Sequence, residues 1–437
     1  MMKKRVFALT ALLAMGLSIP AQAVNALPAV VTALGTQTAI QTLYQHMEST
    51  KSTTPGIAGS TLSFDEIERI VRQNNVSIKS LDQTLAGVGA TKVNDQYKEQ
   101  YDNLEIQMWQ YQSEINNLES SIRALKNQQG DGVDNSGLIR SLEAQKAALQ
   151  STIASTRMSY DDLEDQEDDA TEEIGYTYNT TKEQVNNTAN QIVMSAQAAY
   201  ISMHTLEDSI TSAKRNLQAL DRNMGVVQTQ VNVGAATQLD LLTLEAQKEA
   251  LQANLQTLET QRANQKNSLA ILCGYGANEA VTVGEIPEVT AEMLGQMDYE
   301  KDLGEARKNS YTLWAKQDAI DKASRDYAND VTHSLHAFEA AKIDLEAEKE
   351  NFTNSFRQLY KTVQEDKVLL ESAQSSYAQE QKNFAVSELQ YNRGAISKND
   401  YDAAKDTLET AADAVKTAKI NLFSAYNTYQ WAIKGTL

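Results

Sequence analysis

The sequence predicts an all-α protein built of long antiparallel helical hairpins in two internal repeats. Three observations carry that expectation. The first is a duplicated punctuation: Val231-Asn232-Val233-Gly234-Ala235-Ala236-Thr237-Gln238-Leu239-Asp240 and Tyr391-Asn392-Arg393-Gly394-Ala395-Ile396-Ser397-Lys398-Asn399-Asp400, with Gly, Thr/Ser and Asp recurring at one offset of 160 residues. The second is proline: the 437 residues hold only four, Pro20, Pro28, Pro55 and Pro287, so nearly the whole chain is free to be helix. The third is a set of apolar residues spaced alternately four and three apart over long runs, the signature of coiled-coil seams.

The duplicated turn has a mechanism. Glycine is the usual residue just past a helix end, where φ is positive. Thr or Ser followed three residues later by Asp is a capping-box-like start for the next helix. Each copy therefore predicts two helices folded back through a tight turn. The offset extends along the helices, since Leu370, Ala373, Tyr377, Phe384 and Tyr391 stand 160 residues after Ile210, Ala213, Leu217, Met224 and Val231.

Taken in order, Met1 to Ala23 reads as a secretory signal peptide. Lys3, Lys4 and Arg5 form its basic start, Val6 to Leu17 its apolar stretch and Ala21-Gln22-Ala23 its cleavage site. The apolar run is shorter than the ~20 residues a membrane span needs. Residues 24–61 mix Pro, Gly, Ser and Thr and read as a flexible lead-in. Helix starts near Ser63, with Asp65 and Glu66 suited to its positive end.

A first repeat is predicted over 62–276. Within it, Leu104, Met108, Tyr111, Ile115, Leu118, Ile122 and Leu125 form one seam, broken by the loop Gln128 to Gly137. Ile139, Leu142, Leu149, Ile153, Tyr160 and Leu163 form a second, with Lys146 and Thr156 as polar interruptions. Together they predict a helical hairpin inserted over about 95–176. The acidic block from Asp161 to Glu173 has no EF-hand spacing and reads as a solvated helix face or a frayed hinge. Leu206 to Val231 then leads into the Gly234 turn, and Leu244 to Leu272 returns from it. A linker over 277–297 has some β character. A second repeat, 298–437, descends through Phe352, Phe356 and Val363 to Tyr391, turns at Gly394 and returns to Trp431.

Charge and rare residues exclude several functions. A formal net charge of −19, or −22 once the three cations of the signal are removed, opposes phosphate backbones and argues against nucleic-acid binding. The one cysteine, Cys273, cannot form an intramolecular disulfide and reads as a packed small hydrophobe. His46, His204, His333 and His336 are scattered; His333 and His336, three apart, read as exposed turn residues rather than a metal pair. With no phosphate loop and no nucleophile elbow, the sequence predicts no enzyme, no cofactor and no metal site. Tyr111, Tyr160 and Tyr377 fall at seam positions.

These residues resemble the outer-membrane efflux protein family, of which TolC is the best-known member. Leu62-Ser63-Phe64-Asp65-Glu66-Ile67 with Asn74-Asn75, and Asp298 to Asn309, are similar to openings of a family repeat. Val231 to Asp240 with Leu272-Cys273-Gly274, and Tyr391 to Gly435, are similar to its close. The resemblance implies a homotrimer forming a TolC-like α-barrel topped by a membrane β-barrel. It implies docking to a membrane-fusion adaptor and an inner-membrane transporter of ABC or RND type. Carried across by position, it implies partner docking at Val231, Gly234, Thr237, Asp240, Tyr391, Gly394, Ser397 and Asp400. It also implies an exported protein of the cell envelope, at the outer membrane or in the periplasm, or extracytoplasmic if the β-barrel is absent.

One departure stands out. Family members place outward-facing strands in each repeat, whereas here Leu104–Leu163 and Trp314–Phe352 show only helical pattern. A membrane strand needs ~10 alternating residues, so the strands are absent or too degenerate to read. A non-transport coiled-coil envelope protein, either a structural spacer or a pump adaptor, is the alternative. Such an adaptor would carry lipoyl-like or β-barrel domains beside a single hairpin.

Overall fold

A computed structural model describes residues 61–130, 134–276, 281–329 and 334–437. The signal peptide, the lead-in up to residue 60, and His46 and His333 lie outside the described residues. So do residues 131–133 of the loop read from the sequence at Gln128 to Gly137, and residues 330–333. The chain forms two compact units, Val76–Ala189 and the remainder.

In the Val76–Ala189 unit, helix α2 (Val76–Gly89) is followed by α3 (Val93–Gly130) and the first half of α4 (Ser136–Asn232). The seams pack as their spacing requires. Ile115, Ile122, Ile139 and Leu163 are buried, and Tyr101 meets Tyr160 with ring centroids 4.8 Å apart. The ion pairs Lys126–Glu143 (2.9 Å) and Lys146–Glu119 (2.6 Å) fix the antiparallel register. Lys146 thus interrupts the seam because its ammonium reaches across to α3. Thr156, buried, satisfies its hydroxyl on the Thr152 carbonyl one turn back. The acidic block is continuous helix, with Asp161, Asp162, Glu164, Asp165, Asp168 and Asp169 exposed. This unit starts earlier and ends later than the 95–176 insertion read from the seams, because α2 and one further stretch of α4 pack with the hairpin.

The other unit opens on strand β1 (Thr61–Leu62), a 3-10 turn (Phe64–Glu66) and α1 (Ile67–Asn74). Ser63 caps this start: Glu66 accepts from its hydroxyl (2.9 Å). The rest of α4 reaches the Gly234 turn and α5 (Gln238–Leu272) returns. Strand β2 (Thr282–Val283), α6 (Ala291–Gly295), α7 (Tyr299–Asn309), α8 (Tyr311–Asn329), α9 (Ser334–Asn392) and α10 (Lys398–Ile433) follow.

Short elements lie at two of the expected boundaries. Thr61, assigned to the flexible lead-in, is strand and pairs in parallel with Thr282, while Leu62 pairs with Val283. The 277–297 linker holds both β2 and the capped helix α6, whose Thr290 side chain accepts from Met293 N at 3.2 Å. The places where membrane strands were sought, Leu104–Leu163 and Trp314–Phe352, hold no strand among their described residues, which are helical apart from Asp134 and Asn135. Among the described residues no helix is long and apolar enough to cross a membrane.

The unit's core lies away from the turns. Phe64 stands edge-on to Tyr200 and Phe423, at 5.6 and 4.7 Å, and the Tyr200 hydroxyl donates to the Glu285 carbonyl (3.1 Å). A second cluster packs Leu303, Ala306, Leu313, Phe352, Phe356, Val363, Leu422 and Tyr429 around the junction of α7, α9 and α10. Cys273 is fully buried, and burial pushes its thiol up to about 12.

From that core four helices run side by side in the order α5, α4, α10, α9. Lys214–Glu259 (3.2 Å) and Asp221–Lys248 (2.8 Å) tie α4 to α5. On the adjacent face of α4, one residue further round the helix, Arg215 pairs with Asp413 and Glu409, and Arg222 pairs with Asp406 of α10. Helix α10 in turn packs on α9. The α4–α10 register is constant: Gln197 faces Trp431, Arg215 faces Asp413 and Arg222 faces Asp406. Each step forward on α4 is a step back on α10, so both helices approach their turns at the same end.

Candidate functional site

The eight residues carried over from the family motif fall on two turns of one geometry. Gly234 has φ +76° and Gly394 φ +70°, values that only glycine adopts without strain. Ala235 N donates to the Gln230 carbonyl (2.7 Å) and Gly234 N to that of Val231 (3.0 Å). Ala395 N and Gly394 N repeat these bonds to Gln390 (2.8 Å) and Tyr391 (2.9 Å). This is the Schellman closure, which satisfies carbonyls the helix end would leave open.

The next helix starts with a reciprocal cap in both copies. Asp240 N donates to Thr237 Oγ1 (3.2 Å), while Thr237 N (2.8 Å) and Oγ1 (2.7 Å) donate to Asp240 Oδ2. Asp400 N donates to Ser397 Oγ (3.2 Å), and Ser397 N (3.1 Å) and Oγ (2.7 Å) donate to Asp400 Oδ2. The bonds from Thr237, the backbone one first, hold the Asp240 carboxyl below its usual range. A β-carbon on Gly234 or Gly394 would meet nothing within 4 Å, so both turns are open outward.

The α4–α10 register brings the two turns together at one end of the unit, so the structure groups all eight residues. Their side-chain chemistry differs. In the second turn Tyr391 stacks on Tyr401 (4.7 Å, 26°) and Lys398 lies over both rings while bonding Asp402. In the first, Val231 and the buried Leu241 hold the equivalent places, and Val233 and Leu239 project outward at 75% and 71% exposure.

Sequence reasoning missed the four residues that set the register of these turns, and the bonds made by two asparagines of the repeat openings. Arg215, Arg222, Asp406 and Asp413 set the register. Their signal was present, since both cations and both carboxylates are seven residues apart and so share one helix face. Asn75 and Asn309 anchor the opposite ends of the hairpins, with Asn75 Nδ2 donating to the Leu272 carbonyl and Asn309 Nδ2 to that of Ile433, both at 2.9 Å. Among the described residues no group of His, Cys, Asp or Glu is placed to hold a metal.

Fold and site together define a duplicated helical-hairpin protein that presents two equivalent turns at one end. No protein-family model and no curated relative matches the sequence. Solved structures do match. The outer membrane protein VceC from Vibrio cholerae aligns with TM-score 0.43 and 14% identity, over 60% of this chain and 74% of that one. The MtrE outer membrane channel of Neisseria gonorrhoeae, in its open state, aligns with TM-score 0.40 and 14% identity, over 86% and 89%. The Campylobacter jejuni CmeC outer membrane channel gives TM-score 0.39 and 13% identity, over 62% and 68%. Overlap of this extent assigns no role to any residue of this chain.

Proposed function

We propose that this chain is the subunit of a TolC-like export or efflux conduit in the cell envelope, a passive homotrimer rather than an enzyme. In this reading 62–276 and 298–437 are its two repeats, and the first carries a helical hairpin insertion over about 95–176, within Val76–Ala189. The trimer docks a membrane-fusion adaptor, and through it an ABC or RND pump, by the turns at Val231, Gly234, Thr237, Asp240, Tyr391, Gly394, Ser397 and Asp400.

The observation that carries the reading is the grouping of two turns of identical backbone geometry at one end of a four-helix layer. A layer with the same hairpin twice, presented edge to edge, is the unit that repetition closes into a hollow shaft with all tips on one rim. A structural spacer has no need of matched exposed turns. A pump adaptor would carry one hairpin, and the described residues hold two of equal turn geometry.

Mass measurement of the purified mature protein by light scattering, with an export assay in cells lacking the chain, tests the proposal. A trimer and lost export on deletion are expected. A monomer at micromolar concentration would overturn it.

A further inference from the structure

The duplication does more than repeat a hairpin: it fixes how one copy meets the next. Helix α9 is the counterpart of α4 at the 160-residue offset, and α5 is the counterpart of α10. The junction seen inside the chain, α4 against α10, therefore has an equivalent that one chain cannot supply, namely α9 of one copy against α5 of another. Both of those helices have one face turned away from the layer.

The internal register transfers without adjustable choice. Arg215 facing Asp413 becomes Ser375 facing Ala253, and Arg222 facing Asp406 becomes Lys382 facing Ala246. Followed toward the turns, the same register sets Val386 against Leu242 and Leu389 against Leu239. Those four aliphatic side chains are among the large hydrophobics left exposed in the isolated chain: Val386 at 55%, Leu389 at 51%, Leu242 at 51% and Leu239 at 71%. At the same level of the internal junction stand Val226 with Asp402 and Thr229 with Asn399. At this level, beside the turns, aliphatic residues thus face each other only where the facing helix belongs to a second chain.

We infer that Val386 and Leu389 of one copy pack on Leu242 and Leu239 of the next, forming an apolar clasp beside the turns. The occupant of each outer face is a second copy of this chain. The contact is heterologous, since different faces meet, so repetition closes a ring or grows a filament. The ionic junction within a chain and the aliphatic junction between chains alternate around the rim. The inference rests on the proposed conduit for ring closure, and on the register alone for which residues meet.

A cysteine pair tests it. Inside one chain, positions 239 and 389 lie on opposite outer faces of four helices, three spacings of about 8–10 Å apart, so any short link between them joins two chains. The full-length Leu239→Cys/Leu389→Cys protein, oxidised with copper phenanthroline, should give a ladder of linked chains ending at the native oligomer. Leu239→Cys/Val368→Cys is the off-register control, since Val368 is 21 residues up α9, roughly 30 Å at 1.5 Å per residue. A charge series reads the same contact without crosslinking. Leu389→Asp should raise the concentration of half-dissociation at least tenfold, and adding Leu239→Lys should recover part of it.

If the wild type is an oligomer but position 239 links no better to 389 than to 368, the pairing is wrong and the conduit stands. If the wild type is a monomer, both fall.

Discussion

A β-carbon placed on Gly274 would stand 2.5 Å from the backbone oxygen of Asn74. The end of the first hairpin is thus seated directly on the end of α1. The second repeat does the same with Gly435 on the Asn309 carbonyl, and both glycines have positive φ, +78° and +92°. Glycine is needed there twice over, for backbone conformation and for approach.

That separates four glycines of similar φ into two classes. Gly234→Ala and Gly394→Ala meet open space and should cost only the left-handed penalty, about 1–2 kcal/mol each. Gly274→Ala and Gly435→Ala add a clash with rigid backbone, on the order of 1–3 kcal/mol more. Denaturant midpoints of the four variants should split accordingly. Equal losses at Gly234 and Gly274 would show that the Asn74 contact is not close.

The two charge pairs between α4 and α10 should behave unequally. The Arg215 and Asp413 side chains keep only 12% and 16% of their surface, and Ser212 also donates to Asp413 at 2.8 Å. Removing Arg215 as Arg215→Met strands a largely desolvated carboxylate, and about 2–3 kcal/mol should be lost. Arg222 and Asp406 are 34% and 29% exposed, so Arg222→Met should cost under about 1 kcal/mol. A double-mutant cycle at each pair, in low and high salt, checks both values, and the Arg222 coupling should fade first.

The turns were legible because their chemistry is local: glycine, hydroxyl and carboxylate act on backbone within ten residues. The seams were legible because heptad spacing is itself the packing rule, and Lys146 and Thr156 showed even where polar groups interrupt it. What joins distant segments was harder to read. Asn74 and Gly274 are 200 residues apart, and their contact involves a carbonyl that any residue carries. Strands β1 and β2 are two residues each, too short for alternation to register. The Arg–Asp junction was written in the sequence as two equal spacings, but nothing local says that the two segments meet.

Cys273 offers a probe of the unit's integrity. Its thiol is 0% exposed, and burial raises it from 9.0 to about 12. A group whose folded pKa is raised contributes stability that is complete below its unfolded pKa. That contribution declines as pH climbs from about 9 through 12. At pH 8 a thiol-specific reagent should label the native protein only at the rate of opening, with full labelling in denaturant. Rapid stoichiometric labelling of native protein would contradict this packing.

The docking role of the turns can be separated from their stability. Gly394→Val and Gly234→Val strain the backbone, so on their own they would confuse a misfolded tip with a lost partner surface. Val233→Asn changes a side chain that is 75% exposed and leaves φ at Gly234 untouched. Surface substitutions of this kind stay within about 0.5 kcal/mol. Export should fall in both the double Val variant and Val233→Asn, with thermal stability lowered in the first only. Wild-type export in both would remove the docking assignment.

Asp208 supplies a pH test with a definite sign. It lines a groove of about 460 Å³ with Ser212 and Asn216 of α4, Asn254 of α5 and Asp413 of α10. Loss of solvent raises its carboxyl pKa, with Asp413 and Glu207 adding to the shift and Lys416 and His204 opposing it. A carboxylate raised in the folded state favours folding while protonated, and that contribution is lost as pH climbs through the folded value. Ionised Asp208 is therefore a cost at neutral pH, and Asp208→Asn, which keeps the shape without the charge, should raise the melting temperature at pH 7. The gain should shrink toward zero below pH about 4, where the wild-type carboxyl also carries its proton. A variant less stable than wild type at pH 7 would mean that Lys416 outweighs desolvation, and the groove would then be wetter than its lining indicates.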